Sequence, residues 1–71
     1  LIQVYPNPTK AVINFSDEIQ SLNIYTIEGR LLLEEQEPLR SYDLSNHPEG
    51  TYIIKVLTSS GSQHSYKIIK E

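Results

Sequence analysis

The chain has 71 residues, a formal net charge of −3, six basic residues, no cysteine and no methionine. That length supports one domain with a thin core, because so short a chain hides only about 60% of the surface its unfolded form exposes. The composition excludes disulfides, thiolate zinc sites and cysteine nucleophiles. The scattered basic residues exclude nucleic-acid binding, which needs a clustered basic surface, and no apolar run approaches the ~18 residues of a membrane span.

Apolar residues recur mostly at every second position and are largely β-branched or tyrosine, which is the strand signature; no segment reads as a helix. Ile2 and Val4 begin a first strand that Pro6 ends, since proline cannot donate to a ladder. In Tyr5-Pro6-Asn7-Pro8-Thr9 each proline fixes its own φ and restricts the residue before it. This element reads as a structural staple, with Asn7 bridging its own bend through its side chain. Residues 11–15 alternate, placing Ala11, Ile13 and Phe15 on one face.

Residues 22–26 and 30–34 flank Glu28-Gly29, where Gly29 supplies the positive φ that a hairpin needs. Glu34, Glu35 and Glu37 before Pro38 read as a solvated connection, followed by a short strand at 41–44. The turn formers of residues 45–50 lead into a strand at 51–57 with Tyr52, Ile54 and Val56 on one face and Ile53 and Leu57 on the other. After the turn at Ser59-Ser60-Gly61-Ser62, a last strand sets His64, Tyr66 and Ile68 against Ser65, Lys67 and Ile69. About seven short strands predict an all-β fold: a small immunoglobulin-like antiparallel β-sandwich, one domain spanning residues 1–71. Gly50-Thr51-Tyr52 further resembles a tyrosine corner, in which the Tyr52 hydroxyl donates to a carbonyl a few residues upstream.

Candidate reactive groups are sparse. His47 and His64 stand alone, without the close pairing a zinc site needs, and read as surface or half-buried structural histidines. No serine lies in a Gly-x-Ser-x-Gly elbow, and the pairs Asp17-Glu18 and Glu34-Glu35 diverge to opposite faces of a strand. Each of the three glycines falls at a predicted turn, which leaves no phosphate-cradling loop. Asn14-Phe15-Ser16 matches a glycosylation acceptor, but the pattern is short and Phe15 reads as core. These features predict no enzyme, no metal and no cofactor. Five tyrosines offer a carbohydrate-stacking platform, but rings at Tyr25, Tyr42, Tyr52 and Tyr66 in strands serve first to cover a thin core.

Several blocks in order carry a resemblance: residues 4–9, Ile24-Tyr25 with Gly29-Arg30-Leu31, Asp43-Leu44-Ser45, residues 50–56, Gly61, and Lys67-Ile68-Ile69-Lys70. Together they resemble the C-terminal sorting domain of the type IX secretion system over essentially the whole chain. The resemblance implies a seven-stranded sandwich ending an exported protein of the Bacteroidetes group. It implies that cargo precedes Leu1, which accounts for a chain without methionine or leader, and that the cargo reaches the periplasm by its own N-terminal leader. It further implies two partners: an outer-membrane translocon that recognises the domain, and a sortase-like protease that removes it at the cell surface. The cargo then stays attached to the surface or is released.

On that resemblance Lys67, Ile69, Lys70 and Glu71 are the recognition residues, and a terminal strand with free backbone groups invites strand addition. Deleting residues 67–71 is then expected to abolish export while the sandwich still largely folds. Tyr5, Pro6, Asn7, Pro8, Gly29, Gly50 and Tyr52 are assigned to the fold. The chain departs from the family pattern where Thr9-Lys10-Ala11 replaces an early glycine, where His47 replaces leucine and where Thr26 replaces aspartate. The alternative reading is an immunoglobulin-like or fibronectin-like binding module for a ligand such as carbohydrate.

Overall fold

The alternating pattern becomes six strands in the computed structural model, which describes residues 2–71; the predicted domain start at Leu1 lies outside the described residues. They are β1 (Val4–Tyr5), β2 (Val12–Thr26), β3 (Leu31–Glu35), β4 (Leu39–Asp43), β5 (Gly50–Thr58) and β6 (Gln63–Lys70). Every strand pairing is antiparallel and the described residues contain no helix, so the fold is all-β as the periodicity predicts.

The count is six because the strands predicted at 11–15 and 22–26 are one strand of 15 residues. Ser16, Asp17 and Glu18 are all exposed and interrupt the apolar alternation, yet the backbone stays extended through them. Ser16 keeps its backbone bonded by donating its N–H to the Gln3 carbonyl at 2.9 Å, while its hydroxyl accepts the Gln3 N–H at 2.8 Å.

This long strand joins two layers. Its first half pairs with β1 (Val4↔Phe15) and β4 (Ile13↔Tyr42); its second half pairs with β3 (Ile24↔Leu33) and β5 (Ile24↔Ile54), and β6 extends the second layer beyond β5. Both halves supply one hydrophobic cluster, so the sheet closes over itself with the core between.

A single residue makes the closure work. Ile13, Phe15 and Ile19 are buried at odd positions, whereas Leu22 and Ile24 are buried at even ones. The switch falls where Ile19 and Ser21 of β2 oppose the successive residues Thr58 and Leu57 of β5, leaving Gln20 as the extra residue of a β-bulge. Without it, alternation would turn Leu22 and Ile24 to solvent. Ile13, Ile19, Leu22, Ile24, Leu44 and Ile54 are fully buried, each contributing about 1.5–3 kcal/mol of transfer free energy as an upper bound.

The β2–β3 hairpin turns at the predicted place. Gly29 has φ +96°, a left-handed value that disfavours any residue with a Cβ. Thr26 braces the turn, since its hydroxyl accepts the Arg30 N–H at 3.1 Å, a task open to the aspartate of the family pattern. At the start of β5, Gly50 has φ +151°, again a conformation that L side chains rarely adopt.

Candidate functional site

Two prolines deprive the stretch from Tyr5 to Thr9 of two backbone donors, so it cannot form a ladder with its main chain alone. The side chain of Asn7 supplies what they lack. A carboxamide carries one acceptor and an N–H donor, the same groups as a peptide unit. Asn7 Nδ2 donates to the Lys67 carbonyl at 2.8 Å, and the Ile69 N–H donates to Asn7 Oδ1 at 3.0 Å. Main-chain pairing then takes over: the Thr9 N–H donates to the Ile69 carbonyl at 2.9 Å and the Glu71 N–H to the Thr9 carbonyl at 2.8 Å, a parallel bridge centred on Thr9 and Lys70. The Tyr5–Pro6 and Asn7–Pro8 peptide bonds are both cis.

Asn7 therefore does not bridge its own bend, as the local pattern suggests. It joins the first segment to the last strand, and Thr9 makes the bend instead. The Thr9 hydroxyl, almost fully buried, donates to the Val12 carbonyl at 2.7 Å and accepts the Ala11 N–H at 3.2 Å, turning the chain without the family's glycine. A third fastening joins the same two segments, from the Tyr66 hydroxyl to the Ile2 carbonyl. Sequence reasoning does not join Thr9 or Ile2 to the last strand, because the partners of their backbone groups lie at the other end of the chain.

The terminal block is sorted by strand alternation. Lys67, Ile69 and Glu71 are exposed on the face opposite the buried Ile68, with Ile69 40% accessible. Lys70 is half-buried on the Ile68 side, so the four predicted recognition residues do not form one surface. Its ammonium lies near enough to Asp43 to help hold that carboxylate below its usual range. The larger cause there is Ser45, whose N–H donates to Asp43 Oδ1 at 2.9 Å.

On the outer face Lys67 stands in a row with Ile53, Tyr25 and Leu31, while the Lys55 ammonium sits 5.2 Å from the centre of the Tyr25 ring. The expectation of free backbone groups at this block is corrected. The Lys67 carbonyl, both groups of Ile69 and the Glu71 N–H are already taken by Asn7 and Thr9.

Around the turn before β5, the Tyr52 hydroxyl donates to the Pro48 carbonyl four residues upstream. His47 is half-buried between two rings, with its centre 6.1 Å from Tyr42 and 5.9 Å from Tyr52, and its Nε2 lies 3.3 Å from the Tyr42 hydroxyl. Burial is the main cause that raises the Tyr42 phenol above its usual range, reinforced by Glu35 and Asp43. In Asp43-Leu44-Ser45 the carboxylate accepts from Ser45, Leu44 fills the core, and the Leu44 N–H and carbonyl bond to Ala11 and His47.

The tyrosines do not assemble a stacking platform: Tyr52 is buried, Tyr25, Tyr42 and Tyr66 are half-buried, and only Tyr5 exposes half its surface. Among the described residues no cluster of three or more His, Asp or Glu could hold a metal, and no helix is long and apolar enough to cross a membrane.

No curated protein and no solved structure gives a significant match to the chain. The family model described as "Secretion system C-terminal sorting domain" matches residues 3–71, nearly the whole chain. That span takes in the Asn7 segment, the two-layer core and the terminal block alike. The chain belongs to the C-terminal sorting domains of type IX secretion, the signals that mark proteins of the Bacteroidetes for export to the cell surface or the extracellular space.

Proposed function

We propose that the chain is the export signal at the end of a larger cargo protein, read by the outer-membrane translocon through the outward side chains of β6. The contacts are made by Lys67, Ile69 and Glu71, while Lys70 acts from the opposite face by steadying the Asp43 turn. The cargo enters the periplasm behind its own leader, the translocon engages the folded domain, and a sortase-like protease cuts upstream of β1. The single observation that carries this reading is the family match over residues 3–71. The exposure of Lys67, Ile69 and Glu71 on one face supports the choice of contacts.

The chemistry is recognition and not catalysis. A cation, an exposed apolar side chain and a carboxylate alternate along one strand face, a pattern that discriminates partners by charge and shape. The test is a reporter carrying an N-terminal leader and this chain at its C-terminus, expressed in a host with the translocon. Surface display of the reporter is expected. A reporter retained in the periplasm would overturn the assignment.

A further inference from the structure

β6 is the outermost strand of its layer, and its register with β5 is unbroken from Gly50↔Lys70 to Leu57↔Gln63. A flat, regular edge of this kind is a template for pairing with another chain. Of the other edge strands, β1 is only two residues long, and β3 and β4 are blunted by irregularity. β3 carries a bulge where Ile24 and Tyr25 oppose Leu33 and Leu31, and the β4 ladder breaks between Asn14 and Ile19. β6 has no such break. Its outward backbone groups from the Lys67 carbonyl to the Glu71 N–H are instead consumed by Asn7 and Thr9, at 2.8–3.0 Å. Upstream of Lys67 no strand lies beside that edge among the described residues.

We propose that the segment from Tyr5 to Thr9 is a built-in substitute strand that closes the edge of β6, so that the terminal block is offered to its partner through side chains and not through its backbone. The physical logic is economical in groups. Two prolines prevent the segment from becoming a true strand that could itself recruit another chain. The Asn7 carboxamide restores one donor and one acceptor, enough to cap the edge at Lys67 and Ile69. The cap also fastens residues 67–71 along the outer edge of the layer. Lys67, Ile69 and Glu71 then keep a constant spacing on the outer face. This inference rests on the reading of the chain as an export signal read at that block. It adds that both ends of the domain build the epitope, and that the partner's complementary surface consists of acidic, apolar and basic side chains facing Lys67, Ile69 and Glu71, not an open strand.

The test uses the full chain with Asn7→Ala, and Asn7→Asp as a second variant that keeps an acceptor for Ile69 but sets a charged oxygen in place of the donor to Lys67. Amide hydrogen exchange in the parent chain should show protection at Ile69 and Glu71. In Asn7→Ala protection at Ile69 should fall by about tenfold, while Glu71, whose N–H donates to the Thr9 carbonyl, and Ile68 and Lys70, bonded to β5, keep theirs. Asn7→Asp keeps an acceptor for the Ile69 N–H and should lose less protection there. With the edge open from Gln63 to the Ile69 N–H, purified Asn7→Ala should self-associate in sedimentation experiments at concentrations where the parent chain does not. Fused to the leader-bearing reporter, it should export several-fold less.

Unchanged exchange at Ile69 would overturn the cap. Open amides combined with export equal to or above the parent's would overturn side-chain reading and indicate pairing with the backbone. Failure of the parent tag itself to export would remove the functional reading, while the exchange and sedimentation results would still decide whether Asn7 closes the edge.

Discussion

Asn7 and Ile69 are hydrogen-bonded across 62 residues of chain, the Ile69 N–H donating to Asn7 Oδ1 at 3.0 Å. Asn7 closes the pairing by donating to the Lys67 carbonyl at 2.8 Å. Both bonds are exposed, so each is worth the lower part of the usual net range. Asn7→Ala should cost about 1–2 kcal/mol. For a domain of this size that corresponds to a drop of several degrees in melting temperature, on the order of 4–8 °C per kcal/mol. A thermal melt of the variant with no drop would show that the pairing does not stabilise the fold.

The two tyrosine hydroxyls that donate to backbone carbonyls, those of Tyr52 and Tyr66, can be ranked. Tyr52→Phe leaves the Pro48 carbonyl without its partner, and should cost roughly 1 kcal/mol or somewhat more. Tyr66→Phe frees the Ile2 carbonyl and should be milder at the level of the whole fold, but should raise amide exchange in the first segment. Equal melting temperatures for Tyr52→Phe and the parent would argue against a stabilising corner.

Gln20 carries the change of phase in β2. Deleting it should leave the chain unfolded, because Leu22 and Ile24 would face solvent and the loss would exceed the ~5–15 kcal/mol by which natural domains are stable. Gln20→Ala keeps the residue count and should cost less than about 1 kcal/mol. Circular dichroism of the two variants separates the residue's presence from its identity.

Asp43 has its carboxylate held below the usual range, chiefly by the Ser45 N–H, with Lys70 assisting. A folded-state value below the unfolded one means that the charged form adds stability above the unfolded value, and that this stability is lost as pH falls through the folded one. At neutral pH, Asp43→Asn should therefore melt below the parent chain. The gap should narrow as pH drops below the ordinary carboxylate range. A gap that is constant across that range would remove the charge from the account of this turn.

Deleting residues 67–71 is not the clean test of recognition that the sequence suggests. Ile68 is 1% exposed in the core, and truncating a buried isoleucine costs about 2–5 kcal/mol even before the edge bonds are counted. The deletion should unfold the domain. Lys67→Glu and Ile69→Ser change only exposed side chains and should leave the melting point within about 0.5 kcal/mol of the parent's. On the proposed reading both should lower export several-fold, and normal export of both would remove these contacts.

Much of the fold was legible residue by residue. Tyr52, Ile54 and Val56 face the core, His64, Tyr66 and Ile68 share a side, and Glu28-Gly29 turns the hairpin, because alternation and the φ demanded by a turn are properties of neighbouring residues. The strand count was not legible, since exposed Ser16, Asp17 and Glu18 look like a connection until Gln3 is placed beside them. Of the candidate site, the exposed Lys67, Ile69 and Glu71 followed from parity, but the separation of Lys70 toward Asp43 and the closure of the edge did not.

The sequence by itself determined an all-strand unit, its turns and the inward or outward sense of side chains within each strand, since these depend on contacts a few residues apart. Only the tertiary structure decided that Gln20 reverses the phase of β2 and that Asn7 and Thr9 finish the edge of β6. The physical reason is that a bulge and an edge cap are defined by the strand opposite, and a carboxamide carries no mark of which distant backbone it will meet.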